Sequence, residues 1–414
     1  MSAPSVSVIV VSRGRAADLS LCLTGISQLD YPNFEVVLVA DKDGIDAANG
    51  LSFFDDLNVV LFEEANISAA RNLGIKAAAG EIVAFIDDDA VPEPSWLTHL
   101  VSGFYKPDVA ATGGFVIGRN GISFQWKARA VDCLGIATPL VVDETDVNVP
   151  VTPKDHAVKT EGTNMAFRRD VIAKMGGFDP AFRFFLDETD VNFRLMKAGY
   201  RTAIAPLAQV HHGYKASATR RGDRVPTDLF EIGASLAVFL RKHAPCESHD
   251  DALESMRSEQ RHRAIRHMIN GAIEPREVKR LMHSFDGGVR DGKSREIGAS
   301  ELIPRARSDF KAFPPGFFGQ HQVFSGRFHR RKSLMLLGES AVKSGHRASV
   351  FVFSFTARPH KVRFTQTGVW LQSGGLFGRS TRSGPRIRVQ SPRKRLSLEL
   401  KRLAKLRNFP SKQS

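Results

Sequence analysis

The sequence has little cysteine: Cys22, Cys133 and Cys246 are its only three, and they stand far apart. That count and spacing argue against a disulfide framework and against a cysteine metal site, and they suggest a reducing compartment. No apolar run approaches the roughly 20 residues that a membrane-spanning helix needs. The N-terminal segment shows neither a basic region nor a cleavage site. Ser5-Val6-Ser7-Val8-Ile9-Val10-Val11 reads as a first β-strand and not as a secretory leader, so the expected location is cytoplasmic. Internal repeats are absent, and no RNA- or DNA-binding motif is recognisable, so a nucleic-acid partner is not expected. Basic charge is scarce in the first part of the chain. Residues 1–240 carry 22 basic and 30 acidic side chains, whereas 241–414 carry 36 and 14. Such asymmetry fits an anionic neighbour, a polyanion or a membrane surface; a solvated basic face fits it too.

What is present is the composition of a soluble globular protein, 42% hydrophobic and 25% charged, with enough length at 414 residues for two or three domains. Val6 to Val11, Glu35 to Ala40, Val59 to Phe62 and Ile82 to Ile86 read as short buried strands. Helical patterns over Ala16 to Leu29 and Ser68 to Ala79 alternate with them. This alternation predicts an α/β fold, a parallel-rich nucleotide-binding sheet with helices on both faces. In such sheets ligands sit beyond the carboxyl ends of the strands, so Ser12-Arg13, Asp41 and Asp87 to Asp89 are expected at one edge. Further on, Asp187 to Ala198 and Pro226 to His243 read as helices, and Cys246 to Arg307 as polar, basic helical segments. Pro314-Pro315-Gly316 marks a linker. Beyond it, Arg330 to Ser344 reads as a helix, and Ala348 to Thr356, Lys361 to Phe364 and Val369 to Leu371 as strands. Leu396 to Leu406 forms an amphipathic helix in a basic tail.

Asp87-Asp88-Asp89 closes the fourth strand. Three carboxylates at a buried strand end are costly if left unpaired. A divalent cation carrying phosphate oxygens would offset that cost, since hard oxygen ligands suit Mn²⁺ or Mg²⁺. An acidic turn capping the next helix reads the same way on its own. The triplet does not stand alone, however. It is accompanied by Val6 to Arg13, by Asn66-Ile67-Ser68-Ala69-Ala70-Arg71-Asn72, by Gly176-Gly177-Phe178-Asp179, and by Leu186-Asp187-Glu188-Thr189-Asp190-Val191 with Arg194.

In this order and spacing the four elements resemble the family 2 glycosyltransferases of the A-type nucleotide-sugar fold, such as those of bacterial polysaccharide and rhamnosyl transfer, over about residues 4–243. The resemblance implies roles. Ser12, Arg13 and Asp41 would hold the base and ribose, although the usual acid pair and serine after the second strand is here Asp41-Lys42-Asp43-Gly44. Arg71 would face the diphosphate, with a structural ion pair as its alternative. Asp87 would face the ribose beside Asp88, and Asp89 the metal. His211 and His212 would reach the metal or the diphosphate, if they are not simply loop histidines. Glu188 would be the general base, with Asp187 competing because the family's usual order of Glu then Asp is reversed. Gly114, Thr163 and Asn164 would line the acceptor side. Trp96 reads as core; Trp126 is either core or a sugar-stacking platform.

The implied activity is inverting, metal-dependent transfer of a hexosyl or deoxyhexosyl unit from a nucleotide sugar to a glycan or lipid-linked hydroxyl. The alternative is a non-catalytic sugar-nucleotide or glycan-binding protein on the same fold. The implied organisation is a catalytic domain over 1–243, a basic helical linker over 244–315, a small α/β accessory module over 316–378 and a basic tail over 379–414. The tail's leucines, flanked by Lys401, Arg402, Lys405 and Arg407, have the spacing of an interfacial helix that would dock on the anionic inner face of the plasma membrane. The same stripe would equally serve to pack on the accessory module.

Overall fold

A computed structural model describes residues 3–298 and 301–409. Its first four strands, β1 (Val6–Ser12), β2 (Phe34–Ala40), β3 (Asn58–Leu61) and β4 (Ile82–Asp87), pair in parallel in the spatial order β3-β2-β1-β4. The apolar run of β1 is read by both faces at once, as a parallel sheet covered on two sides requires. Val8 and Val10 pack with α1 (Ala16–Ile26), while Ile9 between them packs against the face covered by α3 (Ile67–Ala77). After β2 comes a helix not among the sequence-based expectations, α2 (Lys42–Asn49). Asp41 caps it, its Oδ1 accepting the Gly44 N–H at 2.9 Å.

Past β4 the sheet becomes mixed. A short β5 (Ala90–Pro92) leads to α4 (Trp96–Val101), then to β6 (Val109–Ile117) and its hairpin partner β7 (Phe124–Trp126). A separate antiparallel sheet, β8 (Arg129–Val131), β9 (Ala137–Pro139) and β10 (Ala157–Lys159), projects from it. Strand β11 (Met165–Arg168) runs antiparallel between β4 and β6. After α5 (Arg169–Lys174) and α6 (Asp187–Lys197), the long β12 (Arg201–His212) joins β6 in parallel and β5 antiparallel. The nine-stranded sheet therefore ends β4-β11-β6-β12-β5. One glycine is dictated by this arrangement. A Cβ on Gly114 of β6 would lie 2.0 Å from the Ala208 carbonyl oxygen.

Two long helices, α8 (His249–Ile269) and α9 (Pro275–Ser294), pack on α7 (Phe230–His243) through Leu253, Leu281 and Phe285. The chain then returns along the first sheet, where Phe313 stacks on Phe34. The C-terminal unit is a βαβ module. Strands β13 (Gln322–Arg327), β14 (Ala348–Ser354), β15 (Lys361–Phe364) and β16 (Val369–Gly375) lie in the order β13-β14-β16-β15, with α10 (Arg331–Lys343) on one face.

Its other face is covered by α11 (Pro392–Arg407). Leu403 and Leu406 are buried there against Phe351 and Phe353, with Leu396 and Leu400 beside them. The apolar stripe expected at a membrane is thus spent on the chain's own sheet, because the open face of β14 offers a nearer apolar partner. What remains outside on α11 is charge: Arg393, Lys394, Lys401, Arg402 and Lys405 are exposed. Lys412 of the expected tail lies outside the described residues. Among the described residues no helix is long and apolar enough to cross a membrane.

Candidate active site

The carboxyl ends of β1, β2, β4 and β12 meet at one edge, as parallel topology requires. There Asp87, Asp89 and His212 each place a ligand atom within 4.8 Å of the others. His212 Nε2 stands 3.1 Å from Asp89 Oδ1 and 3.9 Å from Asp87 Oδ2. The segment after β12 wraps Asp89: the backbone N–H of Lys215 donates to its Oδ2 at 2.8 Å, and that of Gly213 donates to its carbonyl at 2.7 Å. Its Oδ1 is buried and accepts no hydrogen bond. A buried carboxylate oxygen left open beside an imidazole nitrogen and a second carboxylate fits a divalent cation. Burial pushes the Asp89 carboxyl up, but His212, Arg15 and the Lys215 N–H outweigh it and hold it below the usual carboxylate range.

Asp88 points elsewhere. Its oxygens accept from Ser12 Oγ and Arg15 Nη1, each at 2.8 Å, and burial lifts its carboxyl to about 7 in spite of Arg15 and Ser12. Ser12 is thereby engaged too. Asp41 is held by the Gly14 and Gly44 N–H groups, and the exposed Arg13 donates to the Glu63 carbonyl. Ser12, Arg13, Asp88, Asn66, Phe62 and Arg183 line a cavity of about 520 Å³ beside the acid edge.

Arg71 links this edge to the helical acids. Only 4% of its side chain is exposed; the guanidinium pairs with Asp187 and lies 3.7 Å from Asp87, over the rings of Phe85 and Phe178. A Cβ on Gly162 would come within 2.7 Å of that guanidinium, so glycine leaves the room it needs. Asp187 and Glu188 open α6 directly after Leu186, which is left-handed at φ 64°. That strain is held by burial of Leu186 against Phe182 and Phe239.

The two acids diverge. Burial pushes both up, and for Asp187 it prevails over Arg71, with the Glu188 charge adding to the rise. Glu188 pairs with Lys159 at the end of β10, which holds its carboxyl low against that burial. Lys159 in turn neighbours Glu161, which pairs with Arg129. Lys159, Glu161, Arg129 and Arg15 were invisible in the sequence, because each sits in a short polar stretch without spacing to mark it.

Two sets of expected site residues have other surroundings. His211 meets Glu93 and not the acid edge. Neighbouring residues of a strand face opposite sides, and on the other face the His211 Nε2 donates to the ionised Glu93 carboxylate at 2.8 Å while its ring packs on Trp370. The acceptor-side trio is buried. Asn164 donates to the carbonyls of Phe115 and Ala208 and accepts from Trp96 Nε1, Thr163 is 1% exposed, and Gly114 is closed off by the β6–β12 approach. Trp96 is core, whereas Trp126 is half-buried, its ring 5.7 Å from that of His212.

A family profile described as "Glycosyltransferase like family 2" matches residues 3–222. O-antigen biosynthesis protein RfbC of Myxococcus xanthus is 29% identical over 245 residues, which are 54% of this chain and 18% of the relative. Glucosyl-dolichyl phosphate glucuronosyltransferase of Haloferax volcanii is 30% identical, covering 42% of this chain and 55% of the relative. Glycosyltransferase AglE of the same organism is 28% identical, covering 49% and 64%. The chain spans less than two thirds of the length of each of these relatives.

Proposed function

The chain belongs to glycosyltransferase family 2, and on that premise we propose that it transfers a hexosyl or deoxyhexosyl unit, with inversion, from a nucleotide sugar to a hydroxyl of a glycan or lipid-linked acceptor. The observation that carries this reading is the pairing, across Arg71, of a cation-competent trio, Asp87, Asp89 and His212, with two helix-opening acids. A Mn²⁺ or Mg²⁺ held by the trio would neutralise charge developing on the leaving diphosphate. The cavity lined by Ser12, Arg13 and Asn66 would seat the nucleoside, and Arg71 keeps Asp87 and Asp187 in register.

Glu188 takes the proton from the acceptor hydroxyl. It is the more exposed of the two acids, 14% against 3% for its side chain. Lys159 keeps it ionised, and so able to accept, while Asp187 is committed to Arg71. Attack from the Glu188 side, opposite the departing nucleotide, inverts the anomeric centre. Glu188→Gln should lower turnover roughly 10²–10⁴-fold, the usual worth of a positioned base, with donor affinity nearly unchanged. Single-turnover kinetics with a donor panel checks this, and a crippled Asp187→Asn beside a mild Glu188→Gln would assign the base to Asp187.

For the acceptor, the names of the relatives point to surface glycans and dolichyl phosphate. The exposed basic face of α11 supports placement at the anionic cytoplasmic face of a membrane by charge alone, an attraction that salt weakens. Co-sedimentation with anionic vesicles that persists undiminished in high salt would contradict it.

A further inference from the structure

Past Gln125 and Tyr214, which both touch His212, lies a second cavity of about 800 Å³ whose described lining holds no Asp or Glu. Its walls come from three places. The β6–β7 hairpin supplies Arg119 and Trp126, the loop after β12 supplies Tyr214 and Arg224, and α8 supplies Arg263 and Arg266. Among the described residues none of these four arginines has a carboxylate within ion-pair distance, while the neighbouring Arg221 is paired with Asp223. Their guanidiniums meet little more than carbonyls and an aromatic face: Arg119 donates to Gly222, Arg263 to Arg224, and Arg224 lies 4.9 Å from the Tyr214 ring centre. Burial lowers His267 in the same wall, and Arg263 and Arg266 lower it further against the opposing Asp223, so the local charge is positive.

Four unpaired cations around one concavity repel each other unless an anion enters. The cavity is also in the right place. Trp126 touches His212, with ring centres 5.7 Å apart, and the Arg129 guanidinium lies 5.9 Å from the Trp126 ring. Arg129 leads through Glu161 to Lys159 and Glu188. Trp126 thus connects the cavity wall both to the cation trio and to the base. The helix that supplies Arg263 and Arg266 lies beyond the stretch matched by the family profile.

We propose that this cavity is an acceptor subsite for a phosphate or diphosphate group, so that the acceptor is a phosphorylated sugar, bound by Arg119, Arg224, Arg263 and Arg266. The proposal rests on the transferase reading above. Bidentate guanidinium pairing suits phosphate oxygens, and the Trp126 face suits the adjoining sugar. The source of the phosphate is either a soluble sugar 1-phosphate or an isoprenyl-diphosphate-linked sugar, which share this chemistry.

The test is calorimetric titration of the full chain with inorganic diphosphate in EDTA, which removes metal-borne binding. Arg263→Gln/Arg266→Gln should weaken binding roughly 10- to 100-fold. Arg119→Gln, a single change on an exposed turn that does not depend on α8 folding, should weaken it about tenfold. Arg305→Gln, remote from the cavity, should not change it. Equal binding by all four proteins, or none by the wild type, overturns the proposal and leaves the arginines as a solvated face. Titration with glucose 1-phosphate and with farnesyl-diphosphate-linked glucose then identifies the source. Tighter binding of the second, lost in the double variant, assigns the lipid-linked form; equal binding assigns the soluble one. Donor hydrolysis by the wild type with Mn²⁺, run alongside, tests the transferase reading separately. Its absence with diphosphate binding intact would count against that reading and not against this site.

Discussion

Asp89 with His212 and Glu93 with His211 are two acid–histidine pairs made by the same two segments of chain. They are close in sequence and set on opposite faces of β12, with gaps of 3.1 and 2.8 Å. Both acids are buried and both lie below the usual carboxylate range, against the pull of burial, through their cationic partners. The difference is in what is left over. Glu93 Oε1 meets His211 and Arg407 Nη2, and Oε2 accepts from Arg407 Nε at 2.7 Å, so both oxygens are engaged. Arg407 is itself sealed, 1% exposed and stacked 4.2 Å over Trp370. Asp89, its side chain no more exposed, keeps one oxygen without a hydrogen bond next to Asp87 and His212. A buried, perturbed acid–histidine pair is therefore not by itself a site; what sets the proposed metal pair apart is a carboxylate oxygen without a hydrogen bond beside a second carboxylate, Asp87.

The sharpest way to break this contrast is through its two acids. Asp89→Asn should reduce metal-dependent donor turnover roughly 10³-fold, by withdrawing a charged ligand at the developing diphosphate charge. Its melting temperature should stay near wild type. Glu93→Gln should do the reverse, and a turnover assay paired with thermal melts reads both. If Glu93→Gln silences the enzyme while its melting point holds, the inner pair is no mere brace.

Arg407→Met should cost about 3–5 kcal/mol of stability, since it strands the buried Glu93 charge. Urea denaturation measures it, and a loss under 1 kcal/mol would mean that the C-terminal module is not anchored by this ion pair. The histidines should part in the same manner at smaller scale. His212→Gln should weaken Mn²⁺ activation about 10- to 100-fold, whereas His211→Gln should leave the Mn²⁺ concentration dependence where it was. Identical shifts would collapse the distinction between the faces.

The smallest effect is in pH. Glu93 and Asp190 have folded values depressed by Arg407 and by His243, Arg194 and Lys242, against burial. The stability they supply is complete above the ordinary carboxylate value of about 4 and drains as pH falls through their lower folded values. Asp88, raised to about 7, acts oppositely: the folded chain holds its proton longer, so stability declines as pH rises through that window. Urea midpoints from pH 3 to 8 should peak near pH 4 and fall from there to about 7, and Arg407→Met should flatten the acid side. An acid limb equally steep in the variant would remove Glu93 as its cause.

The sequence by itself determined the succession of β1 to β4, the helices α1 and α3, and the acid edge. Apolar runs, their spacing and the rule that ligands gather at strand ends are local or topological facts, legible wherever Val6 to Val11 or Asp87 to Asp89 are written. His211 and His212 read as a single pair at the end of a strand, and which of them met the acids was not legible. Tertiary structure alone decided that His211 belongs to Glu93 and to Arg407, and that Glu188 is held by Lys159. It likewise decided that the α11 leucines are spent on Phe351 and Phe353, and that arginines of α8 stand beside Trp126. Each of those partners is brought in from far along the chain or from a stretch without pattern. A contact of that kind costs loop-closure entropy but leaves no periodicity in either segment, so it exists only once the sheet has set the distances.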